Sequence, residues 1–259
     1  MGSFKVLHLN IERDKHLKEV KTLIRDKEPD IICLEEVLDS SVRTFSKEFG
    51  YETVYSPLIS REGDTQGSAI LSKFPIVASK EDVYGDNKTK FLIEAKNTPD
   101  GKRPENRFLY HFSLLSANLD MGQGGRLNVA TTHFPVVDHE TRPLGDHVLD
   151  EFEEVVAVEH ARDYLDRLIA FIRRIESPLI FTADLNNNRG EYAYDALAHE
   201  LQDLVPQDTD STLDPQLHRR KDLKLVVDTI MTTPDIEAEN VEIISGVSDH
   251  KAIFATIET

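Results

Sequence analysis

The stretch PLIFTADLN, residues 178–186, runs through mostly apolar side chains and stops at Asp184 and Asn186. An apolar run of this kind behind a proline reads as a core strand, which puts Asp184 and Asn186 at its C-terminal end. Enzymes built on α/β sheets place their chemistry at such ends. Side chains at i and i+2 of an extended segment leave by the same face, so a carboxylate and an amide can converge on one ion or one phosphate. Taken alone, Asp-x-Asn is better explained as an Asx-turn, or as a cap leading into the helix-like stretch 190–200. The rest of the sequence reverses that preference.

The chain has 259 residues, 39% hydrophobic and 30% charged, enough for one sizeable core. No Gly/Ser-rich or Pro-rich linker and no repeat of fixed period divides it, so residues 1–259 are expected to form a single domain. The sequence does not open on a basic leader with a long apolar region, and no stretch approaches the length of a membrane span. A soluble, cytoplasmic, monomeric protein with no membrane partner is therefore expected. Cys33 is the single cysteine and sits in Ile31-Ile32-Cys33-Leu34, where it reads as a small buried hydrophobe. One cysteine can form neither an intramolecular disulfide nor a cysteine-rich zinc site. The formal net charge of −17 argues against a surface that holds duplex nucleic acid by broad phosphate neutralisation. It leaves a phosphate substrate open, because bound divalent cations invert the local field of an acidic cleft.

Strand-like runs fall at 4–10, 30–37, 51–56, 68–72, 89–95, 107–118, 127–134, 178–183, 223–231, 241–245 and 252–257. Helical periodicity is clearest at 14–27 and 151–175, with shorter stretches at 39–49 and 190–200. Many strands with few long helices predict two packed sheets flanked by helices. Turns are expected near Gly101 and at Gly122–Gly125, and a long loop rich in Pro, Asp and His at 135–150.

Several other apolar runs end as the first does. VLHLN ends at Asn10, IICLEEV carries Glu36, NVATTHF carries His133, LVVDTIM carries Asp228, and ISGVSDH ends at Asp249 and His250. Each alone is a common turn or cap. Together, Glu36, Asn10, Asp184, Asn186 and Asp249 offer the carboxylates and other oxygen ligands that a hard cation such as Mg2+ takes, with no soft ligand among them. Two histidines, and an acid able to orient one of them, complete a set suited to phosphoryl transfer.

Read in order, LHLN, CLEEV, GSAILSKFPI, ATTHF, FTADLN, VVDTIM and SDHKAIF resemble the successive motifs of the endonuclease/exonuclease/phosphatase family, the deoxyribonuclease-I-like superfamily, from about residue 4 to 257. The resemblance implies a four-layer α/β/β/α sandwich of two mainly antiparallel sheets flanked by helices. It also implies a Mg2+ or Mn2+ requirement and hydrolysis of a phosphate ester. Carried over by position, Glu36 resembles the principal metal ligand and Asn10 its neighbour, with Asp249 a second metal-linked carboxylate. Asp184 resembles the residue that orients or deprotonates the attacking water, and Asn186 an amide donor to that water or to the phosphate. His250 resembles the histidine that contacts the scissile phosphate, Asp228 the acid that fixes its tautomer, and His133 a phosphate-binding or proton-donating partner. Glu12, on the strand face of Asn10, could assist a second ion.

The chain departs from the common pattern at Ala183, at Thr229 and at Lys251-Ala252, where the family usually has a glycine, an aromatic residue and an aromatic-proline pair. The change at Thr229 puts in doubt a contact beside the site. Arg162, with His160, resembles a basic residue that some family members carry after the histidine strand, and reads equally as a solvent-facing ion pair. Asp138, His139, Asp146 and His147 read as a solvated loop ahead of a second metal or headgroup site, and the sequon Asn87-Lys88-Thr89 as silent. The function expected is a nuclease acting on DNA or RNA phosphodiesters. A phosphatase or phosphodiesterase acting on a small molecule or lipid headgroup comes second, and a non-catalytic binding module is a remote third.

Overall fold

The computed structural model describes residues 3–61, 64–86, 109–137, 155–156 and 158–258. The predicted strand 89–95, the sequon, the Gly101 turn and the four acids and histidines of the 138–147 loop lie outside the described residues. In chain order the first part is β1 (Ser3–Asn10), α1 (Leu17–Lys27), β2 (Ile31–Leu38), α2 (Asp39–Phe49), β3 (Glu52–Arg61) and β4 (Asp64–Ser72). Next come β5 (Ile76–Asp86), β6 (Leu109–Gly122), β7 (Gly125–His133), β8 (Val136–Val137) and β9 (Val155–Val156). The remainder is α3 (Val158–Ile172), β10 (Leu179–Asp184), α4 (Tyr192–Glu200), β11 (Gln202–Asp203), β12 (Asp228–Thr232), β13 (Glu237–Ile244) and β14 (Ala252–Glu258).

Twelve of the described strands form two six-stranded sheets, ordered β13-β14-β1-β2-β4-β3 and β11-β12-β10-β7-β6-β5, and β8 pairs with β9 apart from them. The start of β6 also pairs with β3, at Ile59 with Tyr110, so the sheets are joined along one edge. Each sheet carries one parallel pair, β1 with β2 and β7 with β10, in an otherwise antiparallel arrangement. These are the places where a helix, α1 or α3, intervenes and provides the crossover that parallel strands need.

Period-two alternation assigns the layers. On β1 and β2, Leu7, Leu9, Ile32 and Leu34 pack against Val20, Leu23 and Ile24 of α1 and Val42 and Phe45 of α2. The alternate residues Phe4, Val6, Ile31 and Cys33 join the core shared with the second sheet, α3 and α4. His8 and Asn10 therefore follow Phe4 and Val6 into the seam between the sheets, as Glu35 follows Cys33. Burial pushes the Cys33 thiol up to about 12, in keeping with a buried apolar role.

Two local differences from the sequence reading have physical causes, and the turn expected at Gly122–Gly125 forms. Strand β5 shows no apolar alternation because it is an edge strand paired only with β6, and it carries Lys80, Glu81 and Asp82 on a largely exposed segment. Residues 223–227 precede β12 instead of extending it, because Val226 N donates to the Asn188 side chain and Val227 N to Thr212 Oγ1. The turn after β6 has positive φ at Gln123 (51°) and Gly124 (83°), the pair of left-handed residues that a tight hairpin of type I′ needs.

Candidate active site

The C-terminal ends of β1, β2 and β10 meet the start of β12 and the residues just before β14. β2 reaches this point through a bulge between Leu34 and Val37, with Glu36 in the left-handed region at φ 53°. The bulge lets neighbouring glutamates serve different layers. Glu35 stays in the seam, taking hydrogen bonds from Ser68 and Thr131, while Glu36 Oε1 accepts the Asn10 amide at 3.1 Å. The same amide donates to Asp184 Oδ2 at 3.0 Å, and Asn10 Oδ1 accepts Glu12 N at 3.1 Å. Asn10 is thus the cross-brace between a carboxylate of each sheet.

Asp184 Oδ1 accepts Asn186 N at 3.0 Å, so the Asx-turn that a lone Asp-x-Asn suggests does form, within the site. It holds Asn186 at φ 46°, a strained position for a non-glycine residue. The Asn186 amide donates to Phe134 O at 2.9 Å and meets His133 Nε2 at 2.9 Å. His250 Nδ1 donates to Asp228 Oδ2 at 2.8 Å, and its Nε2 lies 3.8 Å from Asp184 Oδ2. Asp249 is half-buried and accepts Ser248 Oγ at 3.0 Å.

Charge follows from these contacts. Burial alone would disfavour a charged His250, yet the carboxylates of Asp228, Asp184 and Asp249 raise its pKa well above the ordinary imidazole value. Burial also opposes the charge on Asp228, but His250 and, behind it, His8 hold that carboxyl below the usual range. Burial pushes Glu36 up, and the nearby Asp249 adds to this, against the opposing pull of His133, the Asn10 amide and His250. Glu35 is pushed by burial up to about 7.

Asp184, Asp228 and His250 have ligand atoms all within 4.8 Å of one another, a spacing that by distance alone could hold an ion. The chemistry argues otherwise: an imidazolium with Nδ1 committed to Asp228 has no lone pair to give. The fit for a hard cation lies at Glu36, a carboxylate that burial leaves short of compensation, beside Asn10 and Asp249 in an all-oxygen donor set.

The other sequence candidates fall outside this knot. Glu12 is tied to Lys15 and to His16 Nε2, the latter at 3.1 Å. Arg162 is exposed on α3 with its guanidinium 5.9 Å from the Tyr192 ring. Thr229 points away from Asp228 and donates to Asp203 Oδ1 at 3.1 Å, so the missing aromatic residue affects the α4 side of the sheet, not the site face. Sequence reasoning missed His8, Glu35 and His218. His8 and Glu35 could have been found from the two-residue periodicity leading to Asn10 and from the paired glutamates. His218, whose ring lies 6.3 Å from that of His250, had no signal beyond its basic neighbours.

Two six-stranded sheets lie face to face with helices outside, an α/β sandwich in which carboxylate, amide and histidine side chains of both sheets meet at one end. The sequence profile of the endonuclease/exonuclease/phosphatase family matches residues 3–250, and the chain belongs to that family, whose members hydrolyse phosphate esters. Similar solved structures include an endonuclease/exonuclease/phosphatase from Bacteroides vulgatus at 17% identity, TM-score 0.69, covering 100% of this chain and 99% of that one. A mannosyl-6-phosphatase from Bacteroides thetaiotaomicron aligns at 13% identity and TM-score 0.67, covering 99% and 100%. D. rerio TDP2 complexed with a single-strand DNA product aligns at 15% and 0.65, covering 100% of both chains. No curated protein matches the sequence. Among the described residues no helix is long and apolar enough to cross a membrane.

Proposed function

We propose that this chain is a Mg2+- or Mn2+-dependent phosphoesterase that hydrolyses phosphodiester bonds, with nucleic acid its foremost substrate. The observation that carries the reading is the convergence of Asn10, Glu36, Asp184, Asp228 and His250, from both sheets, on one point where a buried histidine is held positive. Glu36 would hold the cation, with Asn10 and Asp249 beside it. When bound, the ion supplies charge neutralisation at the phosphoryl oxygens.

The protein's own groups supply the rest. Asp184 is fixed through both oxygens, by Asn10 and by Asn186 N, and can orient a water or take its proton. His250 presents Nε2 on the side of Asp184, so the imidazolium can stabilise charge that accumulates on the phosphoryl group as the bond breaks. Asp228 fixes the ring and its charge through Nδ1. Asn186 and His133, joined at 2.9 Å, stand at the adjoining edge, where exchange of that bond for a phosphate oxygen would make the Asn186 amide its donor.

The net charge of −17 favours a second reading, a small phosphorylated molecule, since broad counterion release is not available to an acidic surface. On either reading, nucleic acid binding should show a shallow salt slope. The test is turnover of a chromogenic phosphodiester and a phosphomonoester with Mg2+, Mn2+ or EDTA. Metal-dependent hydrolysis abolished by EDTA is expected, with the ratio of the two esters separating diesterase from phosphatase. No turnover of either ester, or of single-stranded DNA, with either metal rejects the reading.

A further inference from the structure

His218-Arg219-Arg220-Lys221, with Lys224 beyond it, is a basic run in a chain of net charge −17. Such a run on its own is an ordinary solvated face. Here the backbone fastens it to the catalytic histidine. Leu213 forms a β-bridge with His250, Asp214 N donates to Asp249 O at 2.8 Å, and Lys251 N donates to Thr212 O at 2.6 Å. The Asp214 carboxylate then builds the turn, accepting Gln216 N at 2.8 Å, Leu217 N at 3.1 Å and Gly246 N at 2.7 Å, while its carbonyl accepts His218 N at 2.8 Å. The outcome is an imidazole set nearly perpendicular to that of His250, with ring centroids 6.3 Å apart and planes at 77°. Arg220 lies 3.1 Å from Asp222 and Lys224 3.6 Å from Asp210, and Arg219, Lys221 and Lys224 lie at the surface.

The turn thus sets His218 beside His250 and starts the basic run from that point, in an otherwise acidic protein whose substrate is an anion. We propose that His218, Arg219 and Lys221 form a subsite for a second phosphate, so that the preferred substrate is a phosphate ester bearing a further phosphate near the scissile one. The inference rests on the hydrolytic reading above and names its substrate class. Two substrate pairs test it and separate its sources: thymidine 5′-(p-nitrophenyl phosphate) with and without a 3′-phosphate, and fructose 1,6-bisphosphate against fructose 6-phosphate. One pair should show a preference in kcat/KM of about tenfold for the doubly charged member, the size expected of about one charge-assisted hydrogen bond. In His218→Ala, and in the double variant Arg219→Ala/Lys221→Ala, that ratio should fall to within about twofold of unity, as the charge-assisted contacts are lost. Turnover without discrimination in the wild type, or a ratio that survives the substitutions, overturns the subsite alone. No turnover of any of the four compounds overturns the subsite, and the hydrolytic reading falls with it only where the chromogenic esters and single-stranded DNA also go unhydrolysed.

A separate observation concerns the floor of the site. His8 is fully buried, neither ring nitrogen has a hydrogen-bond partner, and its Nε2 lies 3.5 Å from Asp228 Oδ1, a buried oxygen likewise without one. Buried polar atoms left unpaired are destabilising, and these two face each other. We infer that His8 is a positioning residue whose Nε2–H closes on the oxygen that His250 does not use, clamping the Asp228 carboxylate from both sides. His8→Leu should lower kcat about tenfold with KM near the wild-type value, and His8→Gln, which keeps a donor, should recover most of it. The tautomer gives an independent check. In 15N-histidine NMR spectra of the wild type, His8 should carry its proton on Nε2. A His8 protonated only on Nδ1 overturns the inference even if the leucine variant fails to fold, and so does an unchanged kcat in a folded His8→Leu.

Discussion

The seam between the two sheets has two ends built from the same strands. At one end β1 contributes Phe4 and Val6, β2 Ile31 and Cys33, β14 Ala255 and Ile257, and β7 Leu127 and Val129, all buried and apolar. At the other, the same faces continue into His8 and Asn10, Glu35, Thr131, and Thr182 with Asp184. Between them the side chains change, and so does the backbone, which at the polar end takes left-handed φ at Glu36 and Asn186. The apolar end supplies free energy by burial and close packing. The polar end spends stability on buried charges and strained residues that persist only because the packed end over-determines them. Stability and chemistry are thus separated along the strands, by about three residues' rise.

The largest effect should come from the polar end, and only in rate. Asp184→Asn keeps the side chain's shape and its bond from Asn186 N but turns an N–H towards the Asn10 amide and removes the group that can take a proton, so kcat on a chromogenic phosphodiester should fall roughly 10²–10⁴-fold, while the melting temperature falls only slightly. A variant that lost stability and rate together would break the separation. The apolar end should behave in reverse. Ile31→Ala removes a buried side chain beneath both sheets and should cost roughly 2–5 kcal/mol in denaturant unfolding, with kcat of the folded fraction unchanged. A drop in kcat there would mean that the packing at this end sets the site geometry directly.

How far each end was legible in the sequence differs for the same reason. The apolar faces of β1, β2, β7, β10 and β14 stood out as runs, and the residues that terminate those runs, Asn10, Glu36, Asp184 and His250, come together in the structure. Helix α2 at 39–49 matched the periodicity residue for residue. What could not be read was whatever depended on backbone register or on distant partners. The bulge that divides Glu35 from Glu36 is a tertiary feature set against β4, where a Cβ on Gly67 would come within 2.0 Å of Ser56 O. Glu12 lay on the right face by sequence count, but positive φ at Glu12 and Arg13 ends the strand and turns it towards Lys15 and His16. Edge strand β5 had no apolar face to show, and the approach of His218 to His250 is made by a turn whose organiser, Asp214, looks in sequence like any other surface acid.

The smallest effect tests whether the polar end carries a stability cost at all. Glu35 sits fully buried between Ser68 and Thr131 with its pKa pushed up to about 7 from an ordinary value of 4.5. The folded protein therefore keeps this proton over a window in which the unfolded chain has released it, and stability falls as pH rises through that window. Below about pH 4.5 the group costs nothing, and above about pH 7 the full penalty applies, at most about 3 kcal/mol from a shift of this size. Glu35→Gln cannot ionise and can still bond both hydroxyls. In EDTA its melting temperature should exceed that of the wild type at about pH 8, and the gap should close as the pH is lowered towards 5. Added Mg2+ should also narrow the gap at high pH, because a cation beside Glu36 favours the ionised form of its neighbour. A gap that stays constant across the pH range would show that Glu35 ionises without penalty, and that the seam is as comfortable at its polar end as at its apolar one.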